Sequence, residues 1–272
     1  MLSNIDWDDA FSNAAYIKDG STYPDLWQRS ADAFIAKHQD VELNISYGEH
    51  SRQKIDLFWP ENKPKGLVVF VHGGYWLDFD KSYWSHLAGG ASEQGWAVAI
   101  PSYVLAPEAK ISEITNMIAQ AIESSSERVD GPIVLSGHSA GGHLVTRMVC
   151  ETSPLANDAK ARIARVLSIS GVHDLRNLIH TRMNDQLQLS LDEAIAESPA
   201  LQTPMASVNV TCWVGSEERP EFVNQANALR NSWKNRVSNI QVTIEPNRHH
   251  FDVIGSLSDP DSPLTFALIV DP

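Results

Sequence analysis

The stretch PIVLSGHSAGGHL, residues 132–144, places a short apolar run, a glycine-flanked serine and the start of a helical pattern in direct succession. Ile133 to Leu135 are typical of a buried strand, and apolar residues recur at three- and four-residue spacing from Ala140 to Glu151. Gly137-His138-Ser139-Ala140-Gly141 forms a G-x-S-x-G pattern, in which a tight strand-to-helix turn exposes the serine hydroxyl. The stretch predicts a strand–turn–helix unit with Ser139 as nucleophile. The alternative is a glycine-rich turn in which the serine has no catalytic role.

Similar apolar segments flank this unit and alternate with helical ones. Further strands are predicted at Lys54 to Trp59, Gly66 to Val71, Trp96 to Ile100, Arg165 to Ile169, Val208 to Val214 and Ile240 to Ile244, and further helices at Tyr83 to Gln94, Ile111 to Arg128 and Pro220 to Trp233. This alternation indicates an α/β fold, with a mainly parallel central sheet and helices on both faces. A chain of 272 residues suits one domain over 1–272, and the polar stretch Leu175 to Ala200 is a candidate for a small cap.

Charge and composition exclude several classes of partner. Asp and Glu number 34 against 21 Lys and Arg, and no basic run is available to follow a nucleic acid or an anionic membrane. The longest apolar run, near Leu67 to Val71, is too short to cross a bilayer, and the first residues do not resemble a secretory signal, so a cytoplasmic location is expected. The sequence does not predict an oligomeric state, and a homodimer is one option.

The cysteines do not indicate a redox or metal centre. Cys150 and Cys212 each lie in an apolar segment, which is typical of buried thiols that serve only in packing. The chain has no C-x-x-C and no H-E-x-x-H pattern. A structural or catalytic metal is therefore not expected.

A second glycine motif, His72-Gly73-Gly74-Tyr75-Trp76, follows the predicted strand that ends at Val71. Acyl transfer builds negative charge on a carbonyl oxygen, and preorganised backbone N–H groups stabilise that charge. We expect Gly74 and Ala140 to supply these N–H groups, with Gly73 assisting. A simple tight turn is the alternative interpretation.

A nucleophilic serine needs a histidine as base and a carboxylate that orients it, both later in the chain. His250, in the loop after the last predicted strand, is the first choice for the base, with His249 in reserve. Glu217 and Glu218 follow the strand VTCWVG, and spacing alone does not separate them. Asp174 is a weaker candidate, because it follows the predicted strand that precedes VTCWVG and could instead cap a helix.

Four motifs, HGGYW, GHSAGG, GSEERPEF and HHF, together resemble the kynurenine formamidase branch of the α/β-hydrolases, which is close to bacterial esterases. The resemblance covers most of the chain and implies an α/β-hydrolase fold. The polar stretch Leu175 to Ala200 interrupts the alternation of strands and helices and is expected to be a small insertion after the sixth strand. The resemblance also implies an oxyanion hole in the HGGxW loop, Glu218 as the acid two residues before Pro-Glu-Phe, and His250 as the base before Phe251. A glutamate stands here where that family usually has aspartate.

The same resemblance implies a reaction and a pocket. Ser139 would cleave a small-molecule acyl substrate, N-formylkynurenine, to kynurenine and formate through an acyl-serine intermediate, and this reaction requires no cofactor. Tyr75, Trp76 and His138 are candidates for the pocket wall, although core packing is an equal alternative for the two aromatic residues. A carboxylesterase for small acyl esters is the competing enzyme, and a non-catalytic α/β-hydrolase-fold binding protein is the alternative of another class.

Overall fold

Eight strands form one sheet in the computed structural model, which describes residues 5–38 and 40–269. They are β1 (Val41–Ser46), β2 (Lys54–Phe58), β3 (Leu67–Val71), β4 (Ala97–Pro101), β5 (Ile133–His138), β6 (Ile163–Ile169), β7 (Asn209–Gly215) and β8 (Asn239–Glu245), in the order β1-β2-β4-β3-β5-β6-β7-β8. Strands β3 to β8 pair in parallel, and β1 and β2 pair antiparallel at one end.

The helices lie on both faces of this sheet. In the described part of the chain they are α1 (Trp7–Ala10), α2 (Tyr23–Ile35), α3 (Gly89–Glu93), α4 (Ile111–Ser126), α5 (Ala140–Met148), α6 (Asn157–Arg162), α7 (Asn184–Leu187), α8 (Leu191–Glu197), α9 (Pro220–Trp233) and α10 (Pro263–Ile269). None of the described helices is both long enough and apolar enough to span a membrane.

Strand β3 shows why the central strands are apolar throughout. Leu67 and Val69 belong to the core cluster that includes residues of α4, α5 and α9, whereas Val68 and Phe70 belong to the cluster that includes residues of α2, α3 and α10. Successive side chains of a strand point to opposite faces, so a strand covered on both faces must be apolar at every position. The predicted mainly parallel sheet with helices on both faces is confirmed.

The structure changes some predicted elements. The seven predicted strands are present with ends shifted by up to three residues, but the edge strand β1 was not predicted because most of its side chains are exposed and make no apolar run. The helix predicted at Tyr83 to Gln94 is α-helical only over Gly89–Glu93 and begins instead as short 3₁₀ turns. Helices α2 and α10 were not predicted at all.

The stretch proposed as a cap, 175–200, contains α7, α8 and 3₁₀ turns. Its buried Glu197 accepts a hydrogen bond from Thr115 Oγ1 of α4 at 2.6 Å and lies 3.5 Å from Arg147 Nε of α5. These contacts hold the C-terminal end of the insertion against α4 and against α5, the helix that follows Ser139. Only its residues Arg182 and Met183 line the cavity described below.

Candidate active site

The predicted site residues follow the carboxyl ends of parallel strands at one edge of the sheet. Ser139 follows β5, Glu218 lies in the loop after β7, and His250 lies in the loop after β8. The registers Val71↔Gly137 and Gly215↔Glu245 bring the ends of these neighbouring strands level. Ligands of open α/β sheets bind at this edge.

Ser139 occupies a strained turn. Its backbone has φ 54° and ψ −115°, held by a 2.9 Å bond from its N–H to Ile169 O and a 3.1 Å bond from His143 N–H to its own carbonyl. A Cβ at Gly141 would lie 1.9 Å from Val71 O, and one at Gly137 would lie 2.3 Å from Gly141 O. Both positions of the G-x-S-x-G pattern therefore require glycine.

His250 and Glu218 form a buried pair. His250 Nδ1 lies 2.7 Å from Glu218 Oε2, and the exposed fractions of the two side chains are 4% and 0%. A carboxylate at Nδ1 holds the proton there and leaves Nε2 free to accept one. No hydrogen bond joins His250 to Ser139 Oγ within residues 5–38 and 40–269, but both side chains line one cavity.

Glu218 is held by donors on its other oxygen. Gly215 N–H donates to Oε1 at 2.8 Å, and Ser170 Oγ donates to the same atom. Ser170 has φ 50° and its N–H binds Trp213 O at 2.7 Å. Sequence reasoning missed Ser170, and the available signal was its position directly after a strand that is parallel to β7.

The reserve candidates lie elsewhere. Glu217 is exposed, and its N–H binds Arg248 O. Asp174 pairs with Arg176 at 2.6 Å, and His249 Nε2 lies 3.0 Å from the Tyr23 hydroxyl. The structure thus brings Glu218 to His250, and it does not bring Glu217 or Asp174 there.

The glycine loop after β3 lies beside Ser139. A Cβ at Gly73 would lie 3.0 Å from Ser139 Cβ. Gly74 has φ 105°, and a Cβ at this position would lie only 2.4 Å from Asp78 O. Ala140 N–H is the first amide of α5 and so has no partner within the helix. In the described part of the chain the N–H groups of Gly73, Gly74 and Ala140 donate no hydrogen bond, which leaves them available to an oxyanion.

A cavity of about 500 Å³ lies over Ser139 and His250. Six aromatic residues line it: Phe11, Trp27, Tyr75, Phe79, Trp84 and Phe251. Several lining residues come from the N-terminal segment 8–24, which sequence reasoning did not connect to the site. The position of these residues over Ser139 depends on tertiary contacts between distant segments, and no local motif signals it.

The comparison with known proteins identifies the family. The BD-FAE family model matches residues 55–229, which is more than half of the chain. The chain belongs to the BD-FAE family. The match leaves His250 and the cavity wall at 8–24 outside its range.

Individual relatives of this BD-FAE member are hydrolases by name. Kynurenine formamidase of Danio rerio is 26% identical over 236 residues, covering 84% of this chain and 80% of that protein, and the Salmo salar enzyme is 27% identical over the same shares. The crystal structure of a "putative thioesterase" from Silicibacter sp. TM1040 is 49% identical, covers 97% of this chain and 99% of that one, and superposes with a TM-score of 0.90. The predictions of an α/β-hydrolase fold, of a serine hydrolase and of similarity to kynurenine formamidases are confirmed.

The three predicted pocket residues do not all lie at the cavity in the structure of this BD-FAE member. Tyr75 and His138 line the cavity, but Trp76 does not. Trp76 has φ 60° and a fully buried side chain, edge-on to His143 at 5.2 Å between ring centroids. The turn Gly74–Asp78 directs Trp76 into the core, which corrects its predicted role in the pocket.

Tyr75 connects the glycine loop to the N-terminal segment. Its hydroxyl donates to Phe11 O and accepts a 3.0 Å bond from Asn13 Nδ2. Burial, together with the charge of Glu218, raises the pKa of Tyr75 far above its usual range. Tyr75 is therefore a neutral, fixed part of the wall.

His138 packs against His250, with 4.6 Å between ring centroids and Nε2 2.9 Å from His250 O. Burial, together with the neighbouring His250, lowers the pKa of His138 well below its usual value. A neutral His138 therefore places no positive charge beside His250.

Buried neutral histidines predict acid sensitivity of this fold. Burial lowers the pKa of His72 to about 4 and that of His143 and His173 to about 3. These pKa values lie below the unfolded value near 6.5, so the unfolded chain binds more protons between pH 6.5 and 4. We expect the free energy of unfolding to fall with pH below about 6.5, approaching about 1.4 kcal/mol per pH unit for each histidine.

Urea titrations between pH 7 and 5 measure this effect while ordinary carboxylates stay mostly ionised. A free energy of unfolding that stayed constant over this range would contradict the prediction.

Proposed function

We propose that Ser139, His250 and Glu218 form a catalytic triad that hydrolyses N-formylkynurenine to kynurenine and formate. The observation that carries the proposal is the aromatic cavity over Ser139 and His250. Aromatic walls suit the arylamine leaving group of this substrate, and the small formyl group needs little space. The named activity of the Danio rerio and Salmo salar relatives supports the same substrate.

The first half of the reaction is acyl transfer. Ser139 Oγ attacks the formyl carbon while His250 Nε2 accepts its proton, and Glu218 stabilises the imidazolium through Nδ1–H. The N–H groups of Gly74 and Ala140, with Gly73 assisting, stabilise the oxyanion. His250 then gives the proton to the arylamine nitrogen as the C–N bond breaks, which leaves a formyl ester on Ser139.

The second half is hydrolysis. A water molecule attacks the formyl carbon as His250 takes its proton, and the C–O bond to Ser139 breaks. Ser139 Oγ recovers the proton from His250, and the product leaves as formic acid, which ionises to formate in neutral solution. Every proton moves through this chain's own side chains, so the proposed cycle requires no cofactor.

A second candidate is the hydrolysis of small acyl esters or thioesters. The Silicibacter protein, at 49% identity, carries a thioesterase name, and this favours the candidate. The same triad cleaves either bond, because both reactions pass through an acyl-serine and a tetrahedral oxyanion.

Steady-state kinetics with purified protein separate the two. We expect N-formylkynurenine to give formate with a higher kcat/KM than acetyl-coenzyme A, because the cavity walls suit an aromatic leaving group. We expect the same order against p-nitrophenyl acetate, which shares an aromatic leaving group but carries an acetyl group, larger than formyl. Formate is measured enzymatically and kynurenine by its absorbance. Turnover of the ester or thioester without formate release from N-formylkynurenine would reject the formamidase proposal and favour the second candidate.

A further inference from the structure

The cavity wall carries three formal charges among its aromatic residues. In the part of the chain that the structure describes, these charged lining residues are Asp8, Asp78 and Arg182. The hydrolytic mechanism uses none of them. Charges beside an apolar pocket commonly fix a ligand's orientation and specificity.

Arg182 has unused hydrogen-bonding capacity. Its Nε donates to Asp8 Oδ2 at 3.0 Å and its backbone N–H donates to Asp8 Oδ1 at 2.7 Å. Neither Nη1 nor Nη2 donates to any described residue, and the side chain is 87% exposed. A guanidinium has five N–H donors. Asp8 accepts from one of them and orients Arg182, which leaves the N–H groups of Nη1 and Nη2 free to bind a carboxylate.

The acidic neighbours narrow the class of ligand. Asp8 is paired with Arg182, whereas exposed Asp78 forms no ion pair with another described residue. Asp78 is fixed to the glycine loop, since its N–H binds Gly74 O at 3.0 Å. One open cation and one open anion at the same cavity suit a zwitterion better than a simple anion.

We infer that Arg182 determines specificity by binding the carboxylate of an amino-acid tail on the leaving group. The substrate class is then an acylated arylamine or phenol that bears such a tail, and the formyl member of this class rests on the proposed function above. Arg182 does not touch the reacting atoms in this arrangement. Its loss should therefore weaken substrate binding and leave the chemical step intact.

The test compares two aryl formamides that differ in the tail. N-formylkynurenine carries the amino acid, and 2-formamidoacetophenone is the same aryl ketone without it. We expect Arg182→Gln to lower kcat/KM for N-formylkynurenine about 10- to 100-fold, mainly through KM, which is the usual range for losing a charge-assisted hydrogen bond. The value for 2-formamidoacetophenone should stay unchanged.

Arg176→Gln is the matched control. Arg176 lies in the same insertion, but it pairs with Asp174 and does not line the cavity, so both substrates should keep their wild-type kinetics. An Arg182→Gln variant that loses activity equally on both formamides, or on neither, would overturn the inference.

A pair of esters separates this inference from the proposed function. O-acetyltyrosine carries the amino-acid tail, and 4-methylphenyl acetate lacks it. If wild-type protein does not cleave N-formylkynurenine, yet Arg182→Gln selectively impairs cleavage of O-acetyltyrosine, the formamidase proposal fails and the role of Arg182 stands. If N-formylkynurenine is cleaved equally well by both proteins, the role of Arg182 fails alone.

Discussion

Replacing Ser139 with alanine is expected to lower kcat about 10⁴- to 10⁶-fold on every acyl substrate that the protein turns over. The variant lacks the oxygen atom that forms the acyl intermediate. Removing the serine alone from a serine triad costs nearly as much rate as removing all three residues. The backbone donors at Gly74 and Ala140 would remain, so a small residual rate above that of water is expected. Formate release from N-formylkynurenine or p-nitrophenol release from an ester measures kcat.

Intact-mass spectrometry gives a second readout, taken on a Ser139→Ala variant whose thermal unfolding matches that of the wild type. The phosphorus of a fluorophosphonate is attacked by nucleophilic serines, which displace fluoride, so the reagent should add to the wild-type protein and not to Ser139→Ala. Ser21 also lines the cavity, and Ser21→Ala is therefore the matched control, expected to be labelled and to keep most of its activity. Full labelling of Ser139→Ala would show that another residue is the nucleophile.

The closeness of the two glycine motifs in space was predictable because sequence order and sheet geometry are coupled. Both glycine motifs directly follow apolar strands that pair in parallel, as the register Val71↔Gly137 shows. Parallel strands present their carboxyl ends at one edge, so motifs at two strand ends must lie close in space. The position of His250 followed from the same reasoning applied to β8.

The choice of acid was at the limit of this reasoning. Glu217 and Glu218 are adjacent, and local backbone geometry decides which of them faces inward. In the structure the N–H groups of Gly215 and Ser216 are bound, to Glu218 Oε1 and Glu245 O respectively, and this turn directs Glu218 toward His250. Spacing carries no information on such a turn, and only the resemblance to formamidases separated the two residues.

The cavity was beyond prediction from sequence. Its wall depends on contacts such as that between Asp8 and Arg182, which are 174 residues apart. Helical or strand periodicity reports which face of an element is buried, but it does not report which distant segment covers that face. Trp76 illustrates the same limit, because a left-handed backbone turn sends its side chain away from its neighbour Tyr75.

Glu218→Gln is expected to lower kcat about 10³- to 10⁴-fold, the range found when a triad carboxylate becomes an amide. The two oxygens of Glu218 accept from different donors, with His250 Nδ1 on one and Gly215 N–H and Ser170 Oγ on the other. A glutamine offers only one acceptor oxygen. If that oxygen faces Gly215, the amide NH₂ faces His250 Nδ1, and the histidine proton moves to Nε2, where it blocks acceptance of the Ser139 proton.

The opposite orientation has its own cost, since the NH₂ would then face the Gly215 N–H inside a fully buried site, where an unsatisfied donor costs about 1 to 3 kcal/mol. Glu217→Gln is the control, because it makes the same chemical change one residue away on an exposed side chain. Rates and thermal unfolding are compared for both variants. A severe loss of rate in Glu217→Gln with a mild loss in Glu218→Gln would contradict the assignment of Glu218. The expected order, in a Glu218→Gln variant that remains folded at the assay temperature, attributes the loss of rate to the pairing of Glu218 with His250 and not to unfolding.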